Sequence, residues 1–584
     1  MNARPTDLGL ADIAGRVVPV DAVDTAPIPV VRVPVAVPAQ VMPGPGAGRR
    51  AMAAIVSGIP LAAVLAVAAF LRFWQLAAVG FNGDEAVYTG TAASIAGDHS
   101  LSPMFPVFRA HPLLFQTLLS LVLRIHETDW TARAFPAAIG VATVAVTYLL
   151  ASRLYGRKAG LIAGLLLAVM PYHVVVSRQV LLDGLMTLMA TGALYCVVRY
   201  LETVALRWLL AAGSVMGLAI LSKETSVILL GGLYVFFALT PSARMRGRHI
   251  LLALLVVVAE AAVWIVALRL SGQSHKGQSY LLWQMFRPAN HGTWFYFTVL
   301  PSWIGWAVLA TALAGLVWLR REATWRERLL LAWLIVPVLF FTIWPVKGFQ
   351  YLLPVAPPLA VLAGRTLSRP LVLALPGRLT RPAWFTRRAW FTRPAWLTRR
   401  AWLARPAWLT GLRPSVPGAA MAALAVISVV SLAVPAWNRA EPSTTRSFLA
   451  GTGGLSGAKQ AGEWVLRNVP AGGRLLAIGP SLANVLEFYG RHSVSALSVS
   501  SNPRNRNPSY TPVPNPDRAV RTGNFQYIVW DSYTAARTPF FAREAHRLAS
   551  RYHGVTVFTA TATVRSSSGH AVVEPVVVIY EVHP

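Results

Sequence analysis

Apolar stretches long enough to cross a bilayer recur along most of this chain, which leaves few folds open to it. They fall at roughly 54–76, 134–152, 159–176, 181–200, 207–221, 225–240, 249–270, 294–319, 328–345, 349–364 and 416–437. A helix of about 20 residues spans the hydrocarbon core, so the pattern predicts a mainly α, polytopic membrane protein with about 11 transmembrane helices. A mean hydropathy of +0.52 over the 584 residues excludes a water-soluble globule. Leu113–Ile125 is too short and interrupted to cross, and is expected to lie along the outer interface.

Charge gives these spans a direction. The chain carries 53 Lys+Arg against 23 Asp+Glu, a net charge of +30, which in a soluble protein would raise nucleic-acid binding. Here the cations collect in alternate loops: Arg153/Arg157/Lys158, Arg199/Arg207, Arg244/Arg246/Arg248, Arg320/Arg321/Arg326/Arg328, and Arg365 to Arg413. With Arg49-Arg50 also inside, every inner loop is basic, as the positive-inside rule requires. No nucleic-acid partner is expected. The amino terminus is cytoplasmic on this reading, and an odd number of spans leaves the C-terminal domain extracytoplasmic. Abundant Ala, Arg, Val and Pro associate the chain with a GC-rich bacterial genome, hence a multi-pass protein of the bacterial plasma membrane. Cys196 is the sole cysteine, which excludes an internal disulfide framework and a Cys-rich metal site.

The composition divides the chain into five parts. Residues 1–50, rich in Pro, Val and Ala, form a disordered cytoplasmic tail. Residues 51–365 hold most spans and the polar motifs. Residues 366–415 are a basic cytoplasmic linker in which RPAWFT, RRAWFT, RPAWLT, RRAWLA and RPAWLT follow one another. The last transmembrane helix occupies 416–438, and 445–584 change to a mixed soluble pattern. There Ala458–Asn468, Leu482–Gly490 and Phe540–Tyr552 read as helices. Arg474–Gly479 and Phe525–Trp530 read as strands, and Val555–Val564 with Val576–Val582 as a hairpin. The result is a small extracytoplasmic α/β domain.

Asp84 and Glu85 follow the first span in Phe81-Asn82-Gly83-Asp84-Glu85. Adjacent carboxylates at a membrane boundary are costly unless they meet a cation, bind a metal or do chemistry. On the deduced topology His111, Arg178, Asp183, Lys223, Lys347 and Tyr351 fall on the same side. Cations beside acids suit a ligand both anionic and hydroxylated, such as a polyprenyl-phosphate sugar.

Several short motifs carry a resemblance: Gly83-Asp84-Glu85, His111-Pro112-Leu113-Leu114 and Ala132-Arg133-Ala134-Phe135-Pro136. Ser177-Arg178 with Asp183, Leu221-Ser222-Lys223-Glu224, and Lys347 with Tyr351-Leu352-Leu353-Pro354 extend it. In this order they resemble the C-class (GT-C) membrane glycosyltransferases, in the protein O-mannosyltransferase and aminoarabinose-transferase branches (glycosyltransferase family 39-like). The resemblance implies a GT-C catalytic domain over 51–365. Asp84 would be the base or the group orienting the acceptor. Glu85 and Asp183 would join it at the reacting centre, binding a divalent cation (Mg or Mn) or orienting the donor, with His111 beside them. Arg178, Lys223 and Lys347 would hold the phosphate of the lipid carrier, and Tyr351 would hydrogen-bond nearby. The implied reaction moves a mannose-like hexose or a pentose from polyprenyl phosphate to an extracytoplasmic protein, lipid or glycan, by a single inverting displacement. The competing reading is a transporter or flippase of lipid-linked sugars, which would place polar sites at the bilayer midplane. Polar residues gathered at span ends favour the enzyme.

Overall fold

The computed structural model describes residues 47–241, 243, 245–319, 324–369, 371–372, 415–416, 418–441, 455–565 and 571–583. The expected tail up to residue 46 and the six-residue repeat lie outside the described residues. Two compact units, Met1–Ser57 and Gly58–Pro584, divide the chain, and the candidate site lies within the second.

The first part of the chain is helical. In order come α1 (Ala47–Phe73), α2 (Gly83–Ala96), α3 (Leu114–Leu123), α4 (Asp129–Tyr155), α5 (Arg157–Ala168), α6 (Pro171–Ser177), α7 (Leu182–Thr203) and α8 (Leu206–Ser222). After a 3-10 turn, Glu224–Ser226, follow α9 (Val227–Leu239), α10 (Gly247–Leu270), α11 (Ser274–Phe286), α12 (Phe295–Ile304), α13 (Trp306–Leu319) and α14 (Trp325–Ile343). A second 3-10 stretch, Phe349–Val355, leads into α15 (Ala356–Leu367). Short strands β1 (Leu371–Val372) and β2 (Ser415–Val416) pair antiparallel, and α16 (Gly418–Ala440) follows.

Among the described residues four helices, α4, α7, α10 and α16, are long and apolar enough to cross a membrane, or up to six if each of two bent pairs counts as one span. The bends correct two expected straight spans. The stretch 159–176 is α5 and α6 meeting at 61°. Pro171 opens α6, and a residue before proline is pushed out of the helical region, as Met170 is with ψ 116. The stretch 294–319 breaks by 100° at Gly305, whose φ of 96 only glycine adopts readily. The residues after Asn82 are helical because Asn82 caps them. Its side chain accepts from the Asp84 and Glu85 amides, and the Glu85 carboxylate accepts from the Asn82 amide.

The C-terminal part follows the expected element order with added pieces. It contains α17 (Ala458–Asn468), β3 (Leu475–Ala477), α18 (Pro480–Gly490), β4 (Val494–Ala496), α19 (Pro516–Arg521), β5 (Tyr527–Asp531), α20 (Ser532–Arg537), α21 (Pro539–Arg551), β6 (Val555–Arg565) and β7 (Ala571–Glu581). The sheet order is β4-β3-β5-β7-β6, parallel over the first three strands and antiparallel over the rest. One sheet face shares a continuous core with the start of the chain: Leu486, Phe488 and Val529 cluster with Phe81, Phe105 and Phe115. Leu476, Ile528 and Leu548 fill the other face. Between the two parts, Tyr489 accepts from the Phe81 amide (2.9 Å) and Lys459 pairs with Asp129 (2.7 Å). The α/β part is therefore packed onto α2 and its neighbours.

Candidate active site

The first turn of α2 sends its two carboxylates in different directions. Glu85 is fully buried and receives Arg133 from α4 through two bonds, Nε to Oε1 and Nη2 to Oε2, both 2.7 Å. It also accepts from the Val180 amide (3.1 Å) and the Asn82 side chain (3.1 Å). Its acceptor sites are thus filled by groups that hold α2, α4 and the start of α7 together. Asp84 is partly buried, and among the described residues its side chain takes no hydrogen bond and no ion pair. Burial pushes its carboxyl above the ordinary aspartate range, against the pull of Lys223 and His111, while Asp183 and Glu85 act with burial.

The groups named there lie within electrostatic reach of Asp84. Lys223 Nζ, between α8 and α9, donates to both oxygens of Asp183 at 2.8 and 2.9 Å, and both side chains are buried. The same nitrogen sits 4.5 Å from the centre of the Tyr351 ring. The His111 Nδ1 lies 2.9 Å from Glu224 and its Nε2 2.9 Å from the Tyr280 hydroxyl. Gln284 donates to that hydroxyl (2.8 Å). The tyrosine then donates to Nε2, which puts the imidazole proton on Nδ1, facing Glu224. Tyr88, one turn beyond Asp84 on α2, packs against the His111 ring at 6.0 Å. His111, Lys223, Glu224 and Tyr351 open on a cavity of about 250 Å³, whose further walls are mostly apolar: Val227 and Ile228 of α9, Leu281 and Met285 of α11, and Phe340 and Phe341 of α14, with Thr225 and Gln284 as the polar exceptions.

Five sequence-selected residues thus converge, Asp84, His111, Asp183, Lys223 and Tyr351, and three do not. Glu85 faces away, into Arg133. Arg178 is wholly buried: Nη1 donates to the carbonyls of Leu71 (2.8 Å) and Arg72 (3.2 Å), Nη2 to those of Trp74 (2.8 Å) and Ala440 (3.1 Å). It ties the ends of α1 and α16, and a role on a lipid phosphate is corrected accordingly. Lys347 donates to the carbonyls of Thr342 (3.2 Å) and Trp344 (2.6 Å), closing the end of α14.

Metal binding by Glu85, Asp183 and His111 does not fit either. The Glu85 and Asp183 carboxylates accept from Arg133 and Lys223, and the one free lone pair of the His111 ring, on Nε2, accepts from Tyr280. Among the described residues no group of three or more His, Cys, Asp or Glu side chains is arranged to hold a metal ion.

Sequence reasoning missed Tyr88, Tyr280 and Arg287. The Arg287 guanidinium stacks on Trp283 at 4.4 Å and forms no ion pair among the described residues; its Nε is buried without a hydrogen-bond partner. It acts electrostatically on both Tyr280 and Tyr351 and directly follows α11, whose Gln284 and Met285 line the cavity. A cation following Trp283-Gln284-Met285-Phe286, in a stretch with no acid, was its only trace in the sequence.

Known proteins resemble this chain in part of its sequence and in its fold. Residues 110–266 match the family described as dolichyl-phosphate-mannose-protein mannosyltransferase. A putative mannosyltransferase, YycA, of Bacillus subtilis (strain 168) is 26% identical over 167 residues, 28% of this chain and 24% of that protein. The undecaprenyl phosphate-alpha-4-amino-4-deoxy-L-arabinose arabinosyl transferase of Pectobacterium carotovorum is 31% identical over 202 residues, 32% of this chain and 36% of that protein. The chain therefore spans about a quarter to a third of the length of these curated relatives. The crystal structure of ArnT from Cupriavidus metallidurans in the apo state superimposes with a TM-score of 0.59 at 16% identity, covering 91% of this chain and 98% of that one. The same protein has been solved bound to undecaprenyl phosphate. The likeness to GT-C glycosyltransferases seen in the motifs is borne out in segment and in fold.

Proposed function

We propose that this protein is an integral-membrane glycosyltransferase that moves a sugar from a polyprenyl-phosphate donor to a hydroxyl acceptor outside the cytoplasm. The carrying observation is Asp84: a carboxylate that takes no hydrogen bond or ion pair among the described residues, within electrostatic reach of the buried Lys223, which itself opens on a largely apolar cavity. The lipid carriers of the similar proteins support the donor class.

The donor's phosphate is held by Lys223 and Arg287. Two of the three ammonium protons of Lys223 already point at Asp183, so Asp183 fixes the nitrogen and leaves a third donor for the ligand. The walls of α9 and α14 take the first isoprene units. Tyr88 and Tyr351 flank the sugar, and Asp84 accepts the proton of the attacking hydroxyl. The acceptor oxygen forms its bond to the sugar C1 as the C1–O bond to phosphate breaks on the opposite face, inverting the anomeric centre. Polyprenyl phosphate is a good leaving group, and the two cations stabilise it as charge develops. No step is routed through a divalent cation, because the expected ligand set is engaged elsewhere.

This reading carries the topology with it: about 11 spans with the bent pairs among them, an inner amino terminus, and an outer α/β domain over 445–584. Mannose, another hexose and a pentose all remain within the proposal. The test is transfer from radiolabelled polyprenyl-phosphate sugars in membranes. Asp84→Asn should abolish transfer at normal expression, and full activity of that variant would remove the assignment.

A further inference from the structure

A second cleft lies further along α8, its walls roughly 10 to 20 Å along the helix from Lys223 at 1.5 Å per residue. It has a volume of about 390 Å³ and a wholly apolar lining, with Leu209 and Met216 of α8, Leu233 and Phe237 of α9, and Ile250 and Val257 of α10 among its walls. Glycines explain why it exists. A Cβ at Gly213 would stand 2.6 Å from the Ala253 carbonyl oxygen, so α8 and α10 approach at backbone contact there. Gly232 of α9 lies instead against the α14 backbone, where its Cβ would be 3.3 Å from Trp333 Cα. Pulled toward different neighbours, α9 and α10 leave a slot between them. From Ile250 to Val257 it runs about 10 Å along α10.

The chain at one end of this slot is basic: Arg246 and Arg248 stand between the lining residues Met245 and Ile250, and Arg207 two residues before Leu209. Arg246 caps α10, Arg248 lies in its first turn, and Arg207 lies in the first turn of α8; all three are exposed. Arg246 and Arg248 both act on the His249 imidazole, which meets the Tyr200 hydroxyl at 3.3 Å. No acid pairs with any of the three arginines among the described residues, since neighbouring Glu202 is engaged by Arg153 at 2.7 Å. An apolar slot under unpaired guanidinium groups complements an amphipathic anion.

We propose that this slot holds one acyl chain of an anionic glycerophospholipid of the surrounding bilayer, its phosphate seated on Arg246 and Arg248. The site is separate from the donor cleft and does not depend on the catalytic reading. The test purifies the full chain in mild detergent and measures retained phosphatidylglycerol, phosphatidylethanolamine and polyprenyl phosphate by mass spectrometry. The wild-type protein should keep phosphatidylglycerol in preference to phosphatidylethanolamine. Each arginine is worth roughly fivefold in affinity, so Arg246→Gln with Arg248→Gln should weaken retention about twenty-five-fold. Ala238→Trp fills the slot from its rim without touching charge, and should also release the lipid. It decides the matter should the double variant not fold. Asp84→Asn should keep the lipid fully, which separates this site from the proposed transfer reaction. Undiminished retention in Ala238→Trp, equal retention of the two phospholipids, or polyprenyl phosphate as the retained species would overturn the proposal.

Discussion

Two regions meet at the first turn of α2, and they treat charge in opposite ways. Beneath the helix, Glu85, Arg133 and Arg178 are each 0% exposed, and the carboxylate and both guanidiniums are held by ion pair, carbonyl or amide partners. Beside it, the Asp84 carboxylate takes no hydrogen bond or ion pair among the described residues, and Arg287, stacked on Trp283, forms no ion pair there, although burial makes that costly. On the proposed function, charges satisfied within the protein serve the fold, whereas those left unsatisfied at a cleft are kept for a ligand. Adjacent positions in sequence thus belong to different functions.

The sharpest way to break this contrast is to neutralise the two neighbours separately. Asp84→Asn should lower transfer by roughly 10²–10⁴-fold, the range for a removed general base, with thermal stability unchanged or slightly raised. The sign follows from its raised folded-state carboxyl: ionisation is disfavoured by folding, so removing the charge costs the fold nothing near neutral pH. Glu85→Gln should do the reverse, leaving Arg133 buried without its counter-charge at a cost of about 3–5 kcal/mol, read as lost yield and lowered Tm in detergent. Equal stability losses in the two variants would erase the distinction.

Smaller effects refine the comparison. Arg287→Gln should raise the KM for the polyprenyl-phosphate donor about tenfold or more, with kcat falling less, whereas Arg287→Lys restores part of it. Transfer should fall as pH drops through the Asp84 pKa, and that fall should begin above the usual aspartate value of about 3.9. Lys223→Gln should move it higher still, because Lys223 pulls that carboxyl down. Asn82→Ala removes the cap of α2 at about 1 kcal/mol and should lower Tm by a few degrees at most.

Much of this was legible in the chain, for physical reasons that also mark where legibility stopped. Hydropathy and amphipathic spacing are local, so Ala458–Asn468 matches α17 and the β6–β7 hairpin lies where alternation put it. Residue type and span ends brought Asp84, His111, Asp183, Lys223 and Tyr351 together. What separates Asp84 from Glu85 is Arg133, 48 residues later, and sequence alone does not say which carboxylate it takes. Arg178 read as a partner of the carrier phosphate because its acceptors are backbone carbonyls, one of them 262 residues away. Arg287 has no motif, and only the return of α11 against Tyr351 reveals it. The bends at Pro171 and Gly305 lie inside windows whose average hydropathy hides a single residue.

The Asn484 amide reaches the Gly83 carbonyl at 3.4 Å, and a methyl group at position 83 would meet the Ser481 backbone at 2.9 Å. Chimeras are constrained by that seam. An α/β portion transplanted from a relative would arrive without the surface it was shaped against, so the exchangeable module must include residues 81–119 as well as 455–583.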